Sequence, residues 1–431
     1  GELGTAARVA AGGRRSDEDR TVNRRGVTLI ELMVASAIGM VIIAGVLGAG
    51  LHLQRQGMTE ERRMQSQLAA RAAAEVLTQE ITSAGLGIGS SRVNLGGANR
   101  SSALAVTTDD PFGADATFAA PAAPYAAMTS DSVTIMTGDA SLLINMGCCG
   151  GGGGGAGCTG CRMRNGANAC ALLDAPGAIN GREIVFVNPA LGVSCLATVT
   201  GVNNRIIQTT PGRGNNNPPP GDPCEEASGS FWCTNGAMAL QVATSVFRVN
   251  WAPRAPGLPQ RPRLQRDPDG PGAAGWQDIL LDVEQLRLRF GVVNFGDGSL
   301  TWFPDAAAGR PPLDQCTMPT CAIPGGVLAA PVGPPTNLAA DVFAVSDGAP
   351  GMSYPDDEAT RIRLERRVRM VEVSIVTRSP TVDRQAVEPL GADGVLIPFR
   401  IDDEGFPRDG YSRRRWTFVL SPRNFRMAGE P

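Results

Sequence analysis

The chain contains no lysine, so all 39 basic residues among its 431 are arginine. Its single histidine, His52, stands near the end of a long apolar run. These two shortages remove much chemistry. A Ser-His-Asp or Cys-His centre needs an imidazole beside its nucleophile. A Schiff-base or general-base lysine needs an amine. Residues 54–431 offer neither. Carboxylate-only catalysis stays formally open, but the reading is of a non-enzyme without a cofactor. Aromatic residues are also scarce, at 5%, whereas there are 54 glycines and 32 prolines. That balance suits a β-rich body with many loops rather than a helical bundle. The net charge of −3 is too small to argue for or against a charged partner. The length would hold two or three ordinary domains.

Charge is missing in one further place. From Val27 to Leu53 the only charged residue is Glu31. The run exceeds the roughly 20 apolar residues that a membrane-spanning helix needs. Arg14, Arg15, Arg20, Arg24 and Arg25 crowd the upstream side, which keeps that end in the cytoplasm and sends the remainder across. A secretory signal would have a shorter apolar core and a small-residue cleavage site after it. Here the small residue, Gly26, precedes the run. Placing Glu31 in a bilayer costs about 2.5–3.5 kcal/mol on insertion scales, so a partner must offset it.

The order Arg24-Arg25-Gly26-Val27-Thr28-Leu29-Ile30-Glu31-Leu32 resembles the class III signal of type IV prepilins and type II secretion pseudopilins. The resemblance implies that a prepilin peptidase cuts after Gly26 on the cytoplasmic side. Val27 would become the methylated N-terminus, in place of the more common Phe. Glu31 would be the fifth mature residue and the assembly contact, pairing with the α-amino group of a neighbouring subunit. Opposite charges in a low-dielectric setting offset part of the desolvation cost.

Residues 1–26 are thus expected to be a leader, 27–53 a membrane and assembly helix, and 54–85 an amphipathic helix. Met64, Leu68, Ala72 and Val76 recur every four residues, with Leu77 and Ile81 extending the face predicted to lie on a sheet. Gly85 and Gly87 are predicted to end the helix. Residues 86–431 read as an exported β-rich head, giving an α+β fold. Strands are expected at 103–107, 132–137, 183–187, 194–200, 205–209, 239–250 and 279–293. Two more alternate through Val371–Val376 and Trp416–Leu420. Four Gly/Pro/Cys-rich stretches (147–170, 211–224, 252–275 and 304–335) read as surface insertions.

All ten cysteines lie beyond the apolar run: Cys148, Cys149, Cys158, Cys161, Cys170, Cys195, Cys224, Cys233, Cys316 and Cys321. An even count in an exported region reads as disulfides. Cys224 with Cys233, and Cys316 with Cys321, look like local loop staples, and the pairing of the other six stays open. Cys158-Thr-Gly-Cys161 has zinc-site spacing, but without a histidine in the head a disulfide knot is preferred and no metal is expected. The acidic runs at Asp356 and Asp402 do not fit a calcium loop. The arginine runs at Arg361–Arg369 and Arg413–Arg415 lack the aromatic interleaving of a nucleic-acid surface, so no nucleic acid is expected.

Two further stretches resemble the PilW-like minor pilins. Leu77-Thr-Gln-Glu80-Ile81-Thr-Ser-Ala84-Gly85 is close to their L-x-x-(D/E)-I-R-x-A-G, with Thr82 in place of the arginine. Val368–Ser379, ending in Arg378-Ser379, and Tyr411–Asn424, with Tyr411-Ser-Arg413-Arg414, are similar to their closing strands. The resemblance implies a structural subunit that initiates, caps or joins pilus filaments and displays a disulfide-stabilised, adhesive head. Twitching motility and cell adhesion would follow from that role. Its partners would be major and minor pilins, the prepilin peptidase, the inner-membrane assembly platform and the membrane itself. It would sit in the bacterial inner membrane first, then in a periplasmic or extracellular filament. The alternatives are a minor pseudopilin of a type II secretion system, and a membrane-anchored adhesin or binding protein using the glycine–cysteine insertion.

Overall fold

The computed structural model describes residues 28–88, 93–96, 99–110, 118–122, 125–126, 128–147, 167–188, 193–211, 237–253, 258–268, 275–293, 298–316, 321, 361, 364–365, 367–382, 411 and 413–422. Among these there is one α-helix and a sheet-dominated body, so the fold is α+β. Two compact units are distinguished, Gly1–Thr59 and Glu60–Pro431. The acidic runs at Asp356 and Asp402 lie outside the described residues.

Helix α1 spans Leu29–Ser83. Its second part lies on the head through Ser66, Ala70, Ala73, Leu77, Ile81 and Ala84, all at most 1% exposed. The expected face holds at Leu77 and Ile81 but not at its start, where Met64 and Leu68 are 57% and 59% exposed. The reason is geometric. A strict four-residue spacing advances about 400° and drifts round the helix, whereas alternating steps of three and four hold one side. Small residues at Ser66, Ala70 and Ala73 also let the backbone come close. Burial of Leu77 and Ile81 contributes roughly 1.5–3 kcal/mol each. Polar contacts fix the register: Thr377 Oγ1 donates to the Ser66 carbonyl at 3.0 Å, and Arg266 meets Glu80 at 2.7 Å.

The helix ends in a hook. Gly85 and Gly87 have φ of 74° and 71°, which favours glycine. Gly85 N–H donates to Met136 O at 2.9 Å, and Gly138 N–H donates to Leu86 O at 2.9 Å. A Cβ on Gly138 would stand 2.5 Å from that Leu86 carbonyl oxygen, so only glycine fits there.

The larger sheet has eleven strands: β1 (Val93–Gly96), β2 (Asn99–Ser101), β3 (Leu104–Thr107), β4 (Ser132–Asn145), β5 (Ala167–Cys170), β6 (Glu183–Asn188), β7 (Val193–Asn203), β8 (Ile206–Pro211), β9 (Met238–Asn250), β10 (Arg263–Asp267) and β11 (Gln277–Leu281). β9 organises it. β4 runs along one edge of β9, while β6 and β10 follow each other along the opposite edge. The smaller sheet has the order β13 (Leu300–Phe303), β12 (Val283–Val293), β14 (Val368–Arg378), β15 (Arg413–Leu420).

The chain changes sheets at Asp282. One strand was expected over 279–293, but β11 ends at Leu281 and β12 begins at Val283. Between them Asp282 has φ of 64°. Its N–H donates to Pro262 O at 2.7 Å, and its carbonyl accepts from Arg378 N–H at 2.9 Å. A second seam joins the sheets at Asp131. Asp131 N–H donates to Leu286 O at 2.8 Å, and Leu288 N–H donates to Asp131 Oδ2 at 2.8 Å. Burial pushes the Asp131 carboxyl up from its usual range, and the Arg287 guanidinium, 2.7 Å away, pulls against that shift.

Three of the expected insertions are at least partly built into the body. The 252–275 stretch contains β10, which pairs with both β9 and β11. Its polar residues concealed it: Arg263, Gln265 and Asp267 are buried, with Arg263 paired to Asp278 and Gln265 bonded to Asn250 and Asp278. The 304–335 stretch sends Leu313, Cys316 and Cys321 into the main core. The 147–170 stretch ends in β5, a strand of the larger sheet. Most of 147–170 and nearly all of 211–224 lie outside the described residues.

Candidate functional site

Thr28 is the last non-helical residue before α1, and its carbonyl accepts Leu32 N–H at 3.2 Å. Glu31 follows three residues later. Its Oε2 accepts from Thr28 N–H at 2.9 Å and from Thr28 Oγ1 at 3.1 Å. Glu31 N–H donates to Thr28 Oγ1 at 3.3 Å in return. This is a capping box, in which two otherwise orphaned backbone donors are satisfied reciprocally. The T-x-x-E spacing is visible in the sequence, yet a capping role for Thr28 was not anticipated. The first-turn carboxylate also lies where the helix dipole favours negative charge.

The capping box starts an apolar rod. Leu29–Met58 is long and apolar enough to cross a membrane, and its apolar side chains are exposed. Leu29, Ile30 and Leu32 are 78%, 70% and 65% exposed. A helix apolar on every side needs lipid or other helices around it. The site is therefore a carboxylate held at the start of an exposed apolar helix. Gly26 and Val27, the expected cleavage and methylation residues, lie outside the described residues.

Thr28→Ala is expected to weaken the first turn by about 1 kcal/mol, the usual cost of losing such a cap. Amide exchange at residues 29–31 in detergent would measure it. Unchanged protection there would overturn the capping assignment.

The cysteines are placed unevenly. Cys316 and Cys321 form a disulfide with Cα atoms 5.6 Å apart, and both are fully buried. Cys170 and Cys195 are buried, and each is disulfide-bonded. Cys148, Cys149, Cys158, Cys161, Cys224 and Cys233 lie outside the described residues. Among the described residues no group of three or more His, Cys, Asp or Glu is placed to hold a metal.

The structure also gathers residues that lie far apart in the sequence. Arg378, Tyr411 and Arg413 meet around Glu284, which is completely buried. No sequence signal pointed to Glu284.

Residues 22–47 match the family described as the prokaryotic N-terminal methylation motif. The match covers the N-terminal segment only, including Gly26, Val27, Thr28 and Glu31. No curated protein and no solved structure matches the chain. The motif supports the type IV pilin and pseudopilin class. It implies processing by a prepilin peptidase, assembly with other pilins and a structural rather than enzymatic role. The exposed apolar helix fits a membrane-anchored pilin-like chain.

Proposed function

We propose that this chain is a minor type IV pilin of the PilW-like kind, a structural subunit that initiates, caps or joins a filament. One observation carries the reading: Glu31 stands in the first turn of an unburied apolar helix, inside the methylation motif. Cleavage after Gly26 would create a positive amino group at Val27. Glu31 then has two ways to satisfy its charge, the Thr28 cap in its own chain and the amino group of a neighbour. The second becomes favourable when helices pack and exclude water, because a desolvated ion pair is stronger than one in water.

Further support comes from residues of the head. Leu77, Ile81 and Ala84 are fully buried against the sheets, Glu80 pairs with Arg266, and Gly85 forms the hook to β4. The helix-end pattern that resembles PilW-like chains is thus a docking sequence. The outward-facing Met64 and Leu68 offer an apolar side to a neighbouring helix. A head of this bulk suits a sparsely placed or terminal subunit rather than the repeating one. In this reading Val27 is methylated, and the subunit waits in the inner membrane before entering a filament.

The test is Glu31→Ala in cells that make filaments. The variant is expected to reach mature length but to be lost from the sheared-filament fraction. Normal recovery in that fraction would refute the assembly role.

A further inference from the structure

We infer that Tyr411 and Arg413 form a two-point pin that sets the register of the terminal strand β15. The hydrophobic pattern of β15 cannot do this alone. Trp416, Phe418 and Leu420 share one face, opposite Ile375, Val373 and Val371 of β14. A slip of one residue would turn the partly buried Phe418 and Leu420 to the opposite face, which the period-two alternation disfavours. A slip of two keeps every side chain on its own face. It would bring Arg415 opposite Arg378, Val419 opposite Ser374, Phe418 and Leu420 one step along the same apolar row, and Trp416 opposite Thr377. Exposure of Arg414, Arg415 and Val419 does not penalise it either.

The buried charges tell the two registers apart. In the native register Arg413 opposes Arg378. Arg413 Nε lies 2.6 Å from Glu284 Oε2, and its Nη2 lies 3.0 Å from Oε1. Arg378 Nη1 reaches Oε1 at 3.4 Å, and its Nε lies 3.7 Å from Asp282, which also pairs with Arg261. Among the described residues the cluster holds two carboxylates and three guanidinium groups. Aromatic faces also meet these cations: the Arg378 guanidinium sits 4.3 Å from the Tyr411 ring centre and 5.6 Å from that of Trp251. After a slip of two, Arg415 could serve Glu284, but Arg413 would occupy the place of Tyr411. A third guanidinium would then face Arg378 where a ring had been. The Tyr-x-Arg spacing is what makes the native register unique.

The experiment uses paired cysteines in the full-length chain, with cross-links mapped by mass spectrometry in the protease-resistant fraction. Ser374 Oγ and Thr417 Oγ1 are 2.8 Å apart, so Ser374→Cys with Thr417→Cys reports the native register. Ser374→Cys with Val419→Cys reports the slip. In the otherwise native chain the first pair is expected to cross-link at least roughly tenfold better than the second, as one-register pairing of a half-buried strand requires. Adding Tyr411→Ala and Arg413→Ala should reverse that preference, because the slip puts Arg415 in the place opposite Arg378 that Arg413 had filled beside Glu284. A further Arg415→Gln should abolish the slipped product. If the pinless chain keeps the native cross-link dominant, the inference is overturned. Should the double substitution prevent folding, Arg413→Ala alone is read the same way, and an unchanged ratio there also overturns it.

Discussion

Glu284→Ala is expected to destabilise the head by about 3–5 kcal/mol, the usual result of breaking a buried ion pair from one side. Glu284 is 0% exposed and takes three guanidinium nitrogens from Arg378 and Arg413. Its removal leaves two arginines, each at most 7% exposed, with their charges no longer balanced. Among the described residues the other carboxylate near Arg378 is Asp282, which Arg261 also holds. Replacing the whole cluster should behave differently. Glu284→Leu with Arg378→Met and Arg413→Met removes the desolvation cost along with the attraction, so most of the lost stability should return. Urea unfolding followed by tryptophan fluorescence would report both variants, because Trp251 lies beside Arg378. A single substitution costing under about 1 kcal/mol, the usual worth of an exposed pair, would mean that water reaches the cluster.

That cluster also shows where the sequence stops being readable. Leu77, Ile81 and Gly85 could be read because local rules govern them: helical spacing for the first two, and a left-handed helix end for the third. Leu286, Leu288 and Phe290 of β12 alternate along the strand expected over 279–293, and they are buried. Arg263, Gln265 and Asp267 could not be read, because their burial depends on partners that other strands supply. Asn250 donates to Gln265 at 2.8 Å, and Gln265 donates to Asp278 at 2.9 Å. The sheet change at Asp282 was hidden for the same reason, since an Asp flanked by leucine and valine continues an alternating strand as well as it breaks one. Near the N-terminus the situation reverses. Thr28 and Glu31 interact within one turn, so a chain of four residues contains the whole cap. A local site is legible from local sequence, and a site assembled across two sheets is not.

Gly26→Arg is expected to block maturation completely. The predicted cut lies between Gly26 and Val27, where a peptidase must bring its catalytic groups against the backbone. A residue without a side chain permits that approach, and an arginine obstructs it. The substitution also extends the Arg24–Arg25 pair, so the segment keeps its cytoplasmic orientation and the effect cannot be attributed to inverted topology. Two consequences should appear together. On a denaturing gel the chain should keep its leader when the peptidase is present. In filament-forming cells it should be absent from sheared filaments, because Val27 would keep a neutral amide instead of a charged amino group. Glu31 would then have only the Thr28 cap, which satisfies its hydrogen bonds without neutralising its charge. Comparison with Glu31→Ala separates the two steps. That variant is expected to shorten normally and still fail to assemble, whereas Gly26→Arg should fail at both. A Gly26→Arg chain that shortens in a peptidase-dependent way would place the cut elsewhere. Glu31 would then no longer be the fifth mature residue, and its pairing with a neighbour's amino group would lose its basis.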